Sequence, residues 1–104
     1  TNVEIKNSTI DSKSKLGHYC YIGDSVIGQL VNIGAGTVTC NFDGDKKHKT
    51  NIKSNAFIGS GTMIIAPIII NEGAKIGAGS VLTQDVQKYS LVYGVPAKKI
   101  RDLR

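Results

Sequence analysis

Aliphatic residues return at a six-residue beat along most of this chain: Ile10, Leu16, Ile22, then Ile27, Ile33, then Ile52, Ile58, Ile64, Ile70, Ile76 and Leu82. Four positions after each comes a small or β-branched residue, among them Ser14, Cys20, Val26, Val31, Thr37, Ala56, Thr62, Ile68, Ala74, Ser80 and Val86. Helices repeat near 3.6 residues and strands at two, so a beat of six fits neither. Hexapeptide repeats of this kind build parallel β-helices, in which a coil buries its apolar side only against its neighbours. The expected fold class is therefore all-β, a parallel β-helix.

A chain of 104 residues is at most one domain. With no Trp, two Phe and four Tyr, the interior must be a narrow stack of Ile, Val, Ala, Ser and Thr. The net charge of +5 is spread along the repeat, with one cluster at Lys46-Lys47-His48-Lys49. Scattered lysines suit a small anionic ligand better than a nucleic acid, which calls for a continuous basic face. Cys20 and Cys40 have no metal-ligand spacing, and Cys20 falls in a small inward slot of the repeat. The apolar run Ile64-Ile65-Ala66-Pro67-Ile68-Ile69-Ile70 is too short to cross a bilayer, and the expected location is cytoplasmic. Thr1-Asn2-Val3-Glu4-Ile5 already reads as strand and no Met begins the chain, so a C-terminal piece of something longer is expected.

Prisms of such repeats use three hexapeptides per coil. If residues 39–51 are one hexapeptide carrying an inserted loop (about 40–51), the repeat starts sort into three columns. They are Ile10, Ile27, Ile52, Ile70; Leu16, Ile33, Ile58, Ile76; and Ile22, Thr39, Ile64, Leu82. Glycine follows every start of the second column, at Gly17, Gly34, Gly59 and Gly77, as a tight corner with positive φ would require. Ile22 to Ile27 is one residue short. The beat ends after Val86. Residues 1–88 are the expected helix domain, and 89–104 the expected strand, turn and short basic end.

Flat parallel faces offer no pocket, so a site must come from the loop or from a cleft between prisms. Two positions after each second-column start stand His18, Ala35, Ser60 and Ala78. They should stack on one edge and rise about 14 Å over the four coils. An imidazole with only small residues above it is a track for a long thin ligand, although small residues near corners are also ordinary. His18 offers an imidazole, the side chain best suited to general-base work. Lys6 and Lys47 suit a phosphate, and Asn32 stands at the end of its repeat.

These residues carry a resemblance. The segments GHYCYIGD (17–24), NIGAGT (32–37) and TCNFDGDKKHKT (39–50), within a match from Val3 to Val86, are similar to the C-terminal acetyltransferase domain of a bifunctional bacterial family, N-acetylglucosamine-1-phosphate uridyltransferase / glucosamine-1-phosphate acetyltransferase. The resemblance implies a left-handed parallel β-helix, against the usual handedness of crossovers. It implies a homotrimer with sites between subunits. The reaction it implies moves acetyl from acetyl-CoA to the amine of glucosamine 1-phosphate, toward UDP-N-acetylglucosamine and peptidoglycan. The domain itself uses no metal. His18 corresponds to the catalytic base. Lys6, Tyr21, Asn32 and Lys47 correspond to the sugar-phosphate site, and Ala35, Asn41, Phe42, Ser60 and Ala78 to the acetyl-CoA contacts. Phe42 stands where the family commonly has Tyr. The family's phosphate-binding Arg upstream of Lys6 has no counterpart, and Val92–Arg101 replaces a tail whose Arg contacts CoA. Lys98, Lys99 and Arg101 are the candidates to substitute for it.

Three other functions compete. One is another acetyl-CoA-dependent hexapeptide transferase with a different amino-sugar. Another is a non-catalytic trimerisation module. A γ-type carbonic anhydrase needs three histidine ligands, and this chain has two His.

Overall fold

Each Ile or Leu of the beat points inward on a strand of two or three residues, and the chain then turns a corner. The computed structural model describes residues 2–104; the strand expected over 1–5 begins at Glu4, and Thr1 lies outside the described residues. One sheet orders β1 (Glu4–Lys6), β4 (Tyr21–Gly23), β7 (Val38–Cys40), β10 (Met63–Ile65) and β13 (Val81–Leu82). A second holds β2 (Thr9–Ile10), β5 (Ser25–Ile27), β8 (Thr50–Ile52) and β11 (Ile68–Ile70). The third runs β3 (Lys15–Leu16), β6 (Asn32–Ile33), β9 (Phe57–Ile58), β12 (Lys75–Ile76), β14 (Ser90–Gly94) and β15 (Ala97–Asp102). Among the described residues, the pairings between these strands are parallel except β14 with β15.

The register follows the three columns. Ile10 pairs with Ile27, Ile27 with Ile52 and Ile52 with Ile70. Leu16, Ile33, Ile58 and Ile76 stack in the same way, and Thr39 stands in line with Ile64 and Leu82. The core is built from these columns, with Ile10 and Leu16 half-buried against its end, and Ile22, Ile52, Ile58, Ile64 and Ile70 have no solvent exposure at all. The stacking removes almost all apolar side-chain surface of each interior rung from water, at about 25 cal/mol per Å².

Two expectations are corrected. Val26 does not fill an inward slot: it is exposed while Ser25 is buried, because the missing residue before Ile27 flips the alternation. Ser25 then stacks on Thr50 and Ile68. The second-column glycines do not supply the positive φ. That falls two residues later, on Tyr19, Gly36, Gly61 and Gly79 (φ 60–74°). Gly17, Gly34 and Gly59 are glycine because a Cβ there would lie 2.5 Å from the backbone N of Ala35, Ser60 and Ala78 on the next coil. The end of the chain adds detail to the expected strand, turn and basic end. Val86 bridges to Ile70 and Val92 pairs with Ile76, so a further partial coil is laid down. The basic end is a strand, β15, folded back on β14 as a hairpin.

Candidate functional site

The second corner carries His18, Ala35, Ser60 and Ala78, one per coil and all exposed. Backbone bonds run up this corner: Gly36 N–H donates to the His18 carbonyl, Gly61 to Ala35 and Gly79 to Ser60, each at 2.8 Å. Beside each small residue above His18 stands a left-handed glycine, and no atom lies within 4 Å of where a Cβ on Gly61 or Gly79 would be. The result is a bare, straight crest with one imidazole at its foot. The His18 ring is tilted against that of Tyr19, with centroids 6.3 Å apart.

Round the corner, on the sheet of β1, β4 and β7, lies a polar group. Lys6 is in register with Gly23. A Cβ on Gly23 would come within 2.5 Å of the Asn41 Nδ2 and 2.6 Å of the Tyr21 Oη, so those two side chains lie together over that glycine. Asn41 is 7% exposed, and its Nδ2 donates to Asp24 Oδ2 at 2.7 Å. Asn7 Nδ2 donates to the other carboxylate oxygen at 2.6 Å. These two bonds hold the Asp24 carboxyl below its ordinary value, aided by the positive charges of Lys47 and Lys49.

The inserted loop is a small closed hairpin. Phe42 and Lys47 bridge antiparallel, Asp43 N–H donates to the Lys46 carbonyl, and His48 N–H donates to the Asn41 carbonyl. Asp43 Oδ1 accepts from the backbone N–H of Asp45 and Lys46, and Oδ2 lies 2.7 Å from His48 Nε2. His48 and these two amides hold the Asp43 carboxyl far below the carboxylate range. Phe42 and Lys47 are both exposed on this hairpin.

Asn32 stands apart. It lies on β6, in register with Lys15 and Phe57, on the face before the corner. The predicted residues thus fall into three places: the crest, the Lys6–Tyr21–Asn41 face with its hairpin, and Asn32 on the adjoining face. At the upper end, a hollow of about 380 Å³ opens between Leu82–Gln87 and the β14–β15 hairpin, a pocket the reading of flat faces did not anticipate. Lys98 and Lys99 line it, but Lys99 Nζ is engaged by Asp102 at 2.6 Å and Gln87 Oε1 at 3.2 Å. Lys98 lines the hollow, while Arg101 stands opposite Leu91 on β15 and does not.

Sequence reasoning passed over Asn7, Asp24, Asp43 and the partner role of His48. The interval of 17 residues from Asn7 to Asp24, and again to Asn41, was the available signal, since 17 is also the Ile10-to-Ile27 coil step.

Residues 49–84 match the family model described as bacterial transferase hexapeptide (six repeats). The bifunctional protein GlmU of Thermodesulfovibrio yellowstonii is 58% identical over 99 residues, 94% of this chain and 22% of that protein. GlmU of Thermotoga maritima is 52% identical over 100 residues, 96% of this chain and again 22% of the relative. The chain thus spans 22% of the length of these curated relatives. Among solved structures, a point mutant of AntD, an N-acyltransferase from Bacillus cereus in complex with dTDP-4-amino-4,6-dideoxyglucose and coenzyme A, superposes with TM-score 0.87 at 23% identity, covering 99% of this chain and 71% of that one. Soybean serine acetyltransferase apoenzyme gives TM-score 0.72 at 30% identity, over 94% and 40% of the two chains. The three-sided coil is the left-handed parallel β-helix of these acyltransferases. The chain carries the hexapeptide repeat over residues 49–84 and is similar, along nearly its whole length, to a 22% portion of the bifunctional GlmU proteins.

Proposed function

We propose that this chain transfers acetyl from acetyl-CoA to the amine of glucosamine 1-phosphate, toward UDP-N-acetylglucosamine and peptidoglycan. The observation that carries the reading is the bare crest of Ala35, Ser60 and Ala78 rising from His18. A pantetheine arm is long, thin and largely unbranched, and a crest stripped of side chains is the surface that accepts one. Similarity to GlmU supports the acceptor, and the CoA-bound AntD fold supports the donor.

His18 is proposed as the general base. An amine attacks only when neutral, and an imidazole takes the ammonium proton at neutral pH. The amine nitrogen then bonds to the thioester carbonyl carbon, the C–S bond breaks, and coenzyme A leaves as the thiol after gaining a proton. Holding both substrates together supplies much of the rate. The developing oxyanion needs a fixed donor, and the Ala35 N–H, one coil above His18, is assigned that part, with the Asn32 amide as the alternative. Lys6 and Lys47 face the sugar phosphate, with Tyr21 beside it. Asn41, Phe42, Ser60 and Ala78 line the acetyl-CoA path.

Asn32 and the Lys6–Tyr21 group lie on different faces of one prism. Two neighbouring prisms would bring such faces to one cleft. This supports a homotrimer with sites between subunits, and the location proposed for it is the cytoplasm. The test is thiol release from acetyl-CoA with glucosamine 1-phosphate, beside a panel of other amino-sugars, on protein whose mass in solution is measured at the same time. Release dependent on glucosamine 1-phosphate supports the reading. Release with another amine alone would transfer it to a different hexapeptide acyltransferase, and no acetyl-CoA binding would leave only an assembly module.

A further inference from the structure

Asn7, Asp24 and Asn41 are separated by one coil step each and meet on a single carboxylate. Asn7 and Asp24 occupy the third corner with left-handed backbones, φ 47° and 48°, which Asn and Asp tolerate better than most residues. Asp24 also touches both roots of the inserted hairpin. Its side chain accepts from Asn41, where the insertion begins, and its backbone carbonyl accepts from Thr50 N–H at 3.2 Å, where the insertion ends. Its own N–H is bonded to the Lys6 carbonyl on the coil below. From these contacts we infer that Asp24 is the positioning residue of the site, orienting the Asn41 amide and anchoring the hairpin that carries Phe42 and Lys47. The inference rests on the proposed transferase reading for its consequence in catalysis, though not for the anchor itself.

Chemistry explains why a carboxylate stands there. Two amide N–H donors converge on one side chain, and an ionised carboxylate is the side chain that offers two oxygens and no donor. An amide at 24 would set its own NH₂ against that of Asn7 or Asn41. The bonds are charge-assisted, and Lys47 and Lys49 lie near enough to favour the negative form. With Nδ2 committed, Asn41 has Oδ1 left, so its orientation decides whether a ligand meets an acceptor or a donor.

The experiment compares the full chain with Asp24→Asn and with the reciprocal pair Asp24→Asn/Asn41→Asp. The pair restores one oxygen acceptor facing each amide and leaves net charge unchanged. Trypsin cleavage within the lysine-rich hairpin is followed independently of activity, and KM for acetyl-CoA is followed by thiol release. Asp24→Asn is expected to raise hairpin cleavage and KM by about tenfold, the scale of one lost charge-assisted bond, with kcat changed less. The reciprocal pair should return cleavage to within about twofold of the parent chain, a bonding rescue that a merely structural role would not predict. Cleavage unchanged in Asp24→Asn, or a reciprocal pair no better than the single variant, would overturn the anchor. A parent chain that releases no thiol would sink the transferase reading, while the cleavage rates still decide the anchor.

Discussion

The carboxylate of Asp43 lies 2.7 Å from Nε2 of His48 across the neck of the inserted hairpin, while its other oxygen caps the tip through Asp45 and Lys46. Lys47 sits between these two attachments. Asp43→Asn keeps an oxygen for the capping amides but loses the carboxylate oxygen that faces His48 Nε2. The expected result is a KM for glucosamine 1-phosphate raised by no more than about fivefold, the scale of an exposed pair, with kcat nearly unchanged. Asp43→Ala should act more strongly because the cap goes too. Steady-state kinetics against the sugar phosphate check both.

His18 tests the chemistry. It is exposed and stands outside the buried stack, so His18→Ala should leave the melting temperature within a degree or two. Loss of the base should lower kcat about 10²- to 10⁴-fold. Steady-state thiol release measures that loss, and an unchanged kcat would remove His18 from the mechanism.

Ser60 tests the crest. Ser60→Leu raises a branched side chain from a corner where the neighbouring Gly61 faces open space. The strands are untouched, so stability should hold within about 0.5 kcal/mol. Acetyl-CoA binding, measured by titration calorimetry, should weaken by about tenfold or more, while binding of the sugar phosphate alone stays as it was.

Gly34→Ala tests the reason for the glycine column. Its φ is not left-handed, so backbone strain is not at issue. A Cβ there would lie 2.5 Å from Ser60 N on the next coil, and that backbone must move. Overpacking of this kind costs about 1–3 kcal/mol. Thermal unfolding should show the loss, whereas Gly44→Ala, in open space at the hairpin tip, should cost less even with its positive φ.

Asp24 and Asp43 set the response to acid. Both carboxyls hold their protons more weakly in the folded chain than at the ordinary value of 3.8. Such groups add stability that is present above the unfolded value and fades as pH falls through it toward the folded one. The melting temperature of the parent chain should therefore drop steeply below about pH 4. The Asp24→Asn/Asp43→Asn variant, lower at pH 7, should drop less over the same range, so the two curves converge in acid.

The six-residue beat alone determines the coil. Every core Ile of the three columns is legible, because burying one apolar residue per short strand is the only use such a beat has. The His18–Ala35–Ser60–Ala78 crest follows from the same arithmetic, since one residue per coil at a constant offset must stack. Other features needed the coils laid on one another. Whether Ser25 or Val26 turns inward depends on a corner one residue short, which alternation by itself does not reveal. Glycine at 17, 34 and 59 is visible in one dimension, but the backbone it makes room for belongs to the next coil. The Asp24 anchor joins residues 17 apart on either side, and the β14–β15 hairpin closes where the beat has already stopped. A linear pattern specifies which side of each strand is buried; contacts between coils depend on the rise and register of the stack, and only the folded chain sets those.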